Sequence, residues 1–176
     1  AEFSDIVGDP FPERYVPIVV VSVCPTHGQI FDSVGTQDKD HILEASSRAA
    51  RLDLGDLESF QVPRGPKSDD LHRRGITSFL ELFTPRQLLY LAAAQALLLQ
   101  LSRADRLWLS LLISTSLEFN SLLCGYKGSD IRRPGAVRHV FSHHAYSFPY
   151  TALENNPVFS GKTSGTLNRL FNDRIR

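Results

Sequence analysis

The chain has 176 residues, of which 42% are hydrophobic and 22% are charged. This composition excludes intrinsic disorder, and the length suits one compact domain with a sizeable core. The 19 basic and 19 acidic residues cancel, so the total charge does not indicate a polyanionic partner.

The charges are unevenly distributed along the chain. Residues 1–125 contain 11 Lys/Arg and 16 Asp/Glu, whereas residues 126–176 contain 8 and 3, so the two parts carry about −5 and +5. Basic residues gathered on one face would favour contact with DNA. Basic residues paired with acids of residues 1–125 would favour a structural role.

The two cysteines, Cys24 and Cys124, do not form a disulfide framework and are expected to be buried thiols of a cytoplasmic protein. No signal peptide is recognisable, and no apolar stretch has the roughly 20 residues of a membrane span, so no membrane contact is expected. The chain contains no methionine, which suggests that it is a piece cut from a longer protein.

The first part of the chain predicts a linker, a β-hairpin and a helix. Residues 1–14 are rich in Pro, Gly and Asp and are assigned to a tag or linker. In residues 15–70, the β-branched run 18–23 predicts a buried strand, with a turn at 24–28 and a second strand at 29–34. Thr36 is expected to cap a helix that runs to about Leu52 or Leu57.

Residues 71–176 are predicted to form a helical subregion. Thr84-Pro-Arg-Gln87 has the pattern of a capping box with proline at the first helical position. It predicts a buried core helix to Leu101. Ser102 is expected to start a second helix with Trp108 in the core, which ends near Leu123 before Gly125 in the C-terminal glycine position.

The remaining chain combines a long aromatic and basic loop over 126–161 with a short amphipathic helix over 163–175. The predicted fold class is therefore α+β, mostly α. It comprises a small β-hairpin plus helix, a central helical hairpin, a long loop and a C-terminal helix.

The sequence contains only incomplete motifs for a metal site and for a catalytic thiol. Cys24 and His27 have the spacing of half a zinc site, but structural zinc takes four ligands and the second half is missing. A plain hairpin turn is therefore preferred, and no metal is expected. Cys124 follows an apolar helix, which disfavours a thiolate nucleophile paired with a histidine.

The long loop holds the candidates for nucleic-acid contact. His143 and His144, among aromatic residues, could stack on extruded bases, or the loop could pack its own aromatics. Arg132, Arg133 and Arg138 could contact phosphates, or form a solvated basic face. The run Asn155-Asn-Pro-Val-Phe159 is superficially similar to the Asn-Pro-Pro-Tyr/Phe loop of amino-methyltransferases, but it lacks the second proline.

Four segments in order resemble one family. They are Leu82-Phe-Thr-Pro-Arg-Gln-Leu-Leu89; Leu117-Glu-Phe-Asn-Ser-Leu-Leu-Cys-Gly125; Phe141-Ser-His-His-Ala-Tyr-Ser-Phe-Pro149 with Glu154-Asn-Asn-Pro157; and Ser164-Gly-Thr-Leu-Asn-Arg-Leu-Phe-Asn-Asp-Arg-Ile175. Together, over about residues 15–176, they resemble the large S-adenosylmethionine-dependent DNA methylases of restriction and phage-defence systems, which modify an exocyclic amino group.

The resemblance implies that this chain corresponds to the region between the cofactor-binding and catalytic loops of such an enzyme. Neither loop is present in the sequence. No cofactor is then expected in this fragment, S-adenosylmethionine belongs to the parent enzyme, and no catalytic residue can be assigned. The implied partners are DNA and the remaining methyltransferase domain. The implied role is DNA binding or shaping of the target-base pocket, or alternatively a structural insertion or assembly module without DNA contact. The candidate nucleic-acid-binding residues are Arg86, Arg132, Arg133, Arg138, His143 and His144.

Overall fold

A computed structural model of the chain describes residues 9–127, 136–140, 146–159 and 164–174. In these ranges the helices are α1 (Thr36–Ala49), α2 (Asp69–Arg73), α3 (Pro85–Leu98), α4 (Arg103–Ser116) and α5 (Leu167–Arg174). The strands are β1 (Val19–Cys24), β2 (Gly28–Ser33), β3 (Gly125–Lys127) and β4 (Ala136–Arg138). Short 3-10 helices lie at Phe11–Arg14, Leu57–Phe60, Phe79–Leu82 and Leu117–Phe119. The predicted class, α+β and mostly α, is confirmed.

The β-hairpin forms where the sequence predicts it. β1 pairs antiparallel with β2, with Val21 opposite Phe31 and Cys24 opposite Gly28. The expectation of a buried strand is wrong, however, since Val19 is 48% exposed and Val23 is 52% exposed. A β-branched run reports strand propensity but not what covers the strand, and this sheet has two strands.

Helix α1 follows the hairpin and packs on α3. Its N-cap is Gly35 rather than Thr36. The Asp38 carboxylate accepts a hydrogen bond from the Gly35 N–H at 2.8 Å, which places the acid beside the positive end of the helix dipole. The helix ends at Ala49, before the predicted end at Leu52 or Leu57.

Both predicted N-caps of the helical hairpin are confirmed. The Thr84 hydroxyl accepts from the Gln87 N–H at 3.3 Å, and the Gln87 amide oxygen accepts from the Thr84 N–H at 2.9 Å. The Ser102 hydroxyl accepts from the Asp105 N–H at 3.2 Å. At the turn, the Arg106 guanidinium donates to backbone carbonyls at the C-terminal end of α3, including that of Leu98 at 3.1 Å.

The expectation that the helical hairpin is buried is wrong. In α3 only the polar Gln87 is buried, while Leu97 is 63% exposed. In α4, Leu112 is buried but Trp108 is 58% exposed. A helix that is apolar almost all round needs neighbours on every side, and the described residues cover only part of its circumference.

The chain after α4 differs most from the prediction. The helix ends at Ser116 instead of near Leu123, and a 3-10 turn follows it. Gly125 is therefore not a helix cap; it begins β3, which pairs antiparallel with β4. This small sheet lies within the range predicted to be irregular loop.

The main core is built from short elements and turns rather than from the longer helices α1, α3 and α4. Its buried members are Phe11, Val62, Leu71, Ile76, Leu82, Leu122, Leu123, Cys124, Val137 and Val140. Phe11, from the range assigned to a tag or linker, is 5% exposed. Residues 9–14 therefore contribute a buried anchor to this core.

Gly165 lies at a close approach between segments of the chain. Its φ of +82° is a left-handed conformation, and a Cβ there would overlap Phe119 and lie 2.7 Å from the Asn155 side-chain nitrogen. Glycine is required at this position for both reasons.

We expect Gly165→Ala to lower the free energy of unfolding by about 2 to 4 kcal/mol, because it combines left-handed strain with overlap inside the fold. Gly28→Ala is the matched control: its φ is +75° but nothing lies within 4 Å of its Cβ, so only the strain of about 1 kcal/mol applies. Urea unfolding of both variants measures the difference. Equal losses would contradict the packing argument.

Candidate functional site

The segments that carry the family resemblance meet in space around a buried turn at residues 120–124. All five residues of this turn are at most 4% exposed. The Leu122 N–H donates to the Leu82 carbonyl at 2.8 Å, and the Cys124 carbonyl accepts from the Leu153 N–H at 2.8 Å. The first and second segments are thus hydrogen-bonded directly, and the turn is also tied to the residue that precedes Glu154.

Two asparagine side chains join the last segment to this arrangement. The Asn120 amide donates to the Ser116 carbonyl at 2.7 Å and to the Gly165 carbonyl at 3.3 Å. The Asn155 amide donates to the Ser164 carbonyl at 2.9 Å. These roles of Asn120 and Gly165 were not predicted. Their sequence context indicates them only weakly, since it consists of an asparagine after an apolar helix and a Ser-Gly pair.

Arg86 is the one predicted contact residue whose side chain is described. Its guanidinium makes two hydrogen bonds of 2.8 Å to the two carboxylate oxygens of Glu154. The side chains are 47% and 25% exposed. This bidentate pair fastens the start of α3 to the segment before Pro157, and the carboxylate offsets the charge that a phosphate would otherwise meet.

Two arginines of the basic C-terminal part also have acidic neighbours. Arg174 lies 3.5 Å from the Glu118 carboxylate, so a cation of residues 126–176 pairs with an acid of residues 1–125. Arg169 lies 3.2 Å from Asp173, one turn along α5. The Arg174 contact matches the pattern expected for a structural role, whereas the Arg169 pair lies within the basic part itself.

The other predicted contact residues cannot be compared with Arg86. Arg138 lies in β4, where only its backbone is described. Arg132, Arg133, His143 and His144 lie outside the described residues. Arg132 and Arg133 belong to the segment that connects β3 to β4.

The two cysteines have opposite environments. Cys124 is fully buried, and desolvation raises the pKa of its thiol, as expected for an inert core residue. Cys24 is only half-buried, so the expectation of two buried thiols is wrong for it. Its sulfur lies 3.3 Å from the His27 Nδ1, and backbone hydrogen bonds from His27 and Thr26 lower the pKa of the thiol.

An open apolar groove lies between α4 and α5. Its volume is about 440 Å³, and its lining residues are Leu101, Asp105, Trp108, Leu109 and Phe171. The Asp105 carboxylate already accepts a hydrogen bond from the Ser102 hydroxyl at 2.7 Å. Without a set of convergent polar groups, the groove has the character of a packing surface rather than of a catalytic pocket.

Neither a metal cluster nor a membrane helix emerges from the described ranges. There, no group of three or more His, Cys, Asp or Glu side chains is arranged to hold a metal ion. No helix in those ranges combines the length and apolar character needed to cross a membrane. No protein-family model, no curated protein and no solved structure matches the chain.

The Arg86–Glu154 pair can be measured by a double-mutant cycle. We expect a coupling energy of about 1 kcal/mol between Arg86→Ala and Glu154→Ala, because the pair is bidentate but partly exposed. The control is the Arg48–Glu44 pair on α1, at 3.7 Å with both side chains more than 60% exposed, for which about 0.3 kcal/mol is expected. Urea unfolding gives both values, and equal coupling in the two cycles would contradict the assigned role.

Proposed function

We propose that this chain is a non-catalytic structural module of a larger S-adenosylmethionine-dependent DNA methylase, and that it packs against the rest of that enzyme through apolar surface on α4. The link to methylases rests on the four ordered segments. The packing role rests on the exposure of large apolar side chains. Among the described residues, sixteen large hydrophobic side chains are exposed, and apolar patches of this kind mark contact surfaces.

The α4 face, defined here as Leu107, Trp108 and Leu111, is the strongest candidate for the contact. These residues are 61%, 58% and 51% exposed, and their spacing of three and four places them side by side on one helix surface. Trp108 also lines the groove shared with Phe171. Tryptophan in an apolar pocket is a frequent energetic centre of protein interfaces.

The arrangement of charge supports packing more than DNA contact. Arg86 and Arg174 are held by carboxylates from distant parts of the chain. Cations used in this way join segments of the module to each other. They leave less free positive charge on the described surface for a phosphate backbone.

The packing role is tested with a separately expressed methylase polypeptide that carries the cofactor and catalytic loops. We expect the chain to bind it, and Trp108→Gln with Leu111→Gln to weaken binding at least about thirtyfold, the equivalent of roughly 2 kcal/mol. Calorimetric titration gives both affinities, and circular dichroism verifies that the variant is folded.

Leu43→Gln provides the matched control, since Leu43 is 67% exposed but lies on α1. It should leave the affinity unchanged. The packing role would be refuted if the wild-type chain fails to bind, or if the α4 variant binds as tightly as the wild type.

DNA contact is the second candidate, favoured by the excess of eight Lys/Arg over three Asp/Glu in residues 126–176. Arg132 and Arg133 are neighbours in the sequence between β3 and β4. His143 and His144, and Arg138 on β4, would add further contacts in this arrangement. Arginine and lysine contacts of this kind bind the phosphates of any sequence.

Binding of duplex and single-stranded DNA across a salt series tests this candidate. If Arg132 and Arg133 contact phosphates, the double alanine variant should weaken binding and reduce the logarithmic salt slope by about 2. Arg51→Ala with Arg64→Ala, both exposed in the acidic part, removes the same charge elsewhere and should leave the slope unchanged. No binding at low salt would reject DNA contact by this chain.

A further inference from the structure

We draw no further inference here: the strongest candidate, the exposed apolar face of the β1–β2 hairpin formed by Val19, Val21, Val23 and Phe31, carries no proposal because nothing in the structure shows what covers it.

Discussion

The buried turn at residues 120–124 is the constraint on which the rest of the structure depends. Buried peptide groups must be hydrogen-bonded, and this irregular turn satisfies only some of them internally, through Ser121, which accepts from the Leu123 and Cys124 N–H groups. Its partners outside the turn are the Leu82 carbonyl and the Leu153 N–H. The turn is therefore held by the 3-10 helix that precedes α3 and by the segment before Glu154, and the Arg86–Glu154 pair joins α3 to that segment.

A core built on such a turn explains why the helices remain uncovered. The side chains that pack around Leu123 and Cys124 come from turns, short strands and 3-10 segments such as that of Leu82. The buried residues of these helices are few: Gln87 in α3, and Leu112 and Ser116 in α4. Their exposed leucines are therefore available to another surface, which supports the proposed packing role.

The sequence predicted features that depend on neighbouring residues and missed those that depend on distant ones. The Thr84 and Ser102 caps and the hairpin turn follow from contacts within three or four residues, and they are confirmed. The burial of α3 and the position where α4 ends depend on contacts with the rest of the chain. Apolar periodicity therefore predicted too much burial for α3 and too great a length for α4. Gly125 shows the same limit, since a glycine after leucines fits a helix end as well as a strand start.

The candidate site was subject to the same limit. An arginine in the first turn of a helix, such as Arg86, is equally suited to a phosphate or to a carboxylate, and in this fold its guanidinium lies 2.8 Å from the Glu154 carboxylate. No local pattern could have indicated a partner so far along the chain. Cys24 and His27 are the opposite case, because a turn of three residues fixes their separation and the contact is local in the sequence.

The hydrogen-bond partners of the arginines bear on the two proposed roles, packing and DNA contact. A carboxylate that binds a guanidinium through two parallel hydrogen bonds occupies two of its five N–H donors and offsets its charge. Arg86 would therefore share its charge with Glu154 in any contact with DNA. Arg174 lies 3.5 Å from the carboxylate of Glu118, in the segment leading into the 120–124 turn. Where these cations stabilise the fold, the proposed DNA contact rests on the other basic residues of the sequence, such as Arg132 and Arg133.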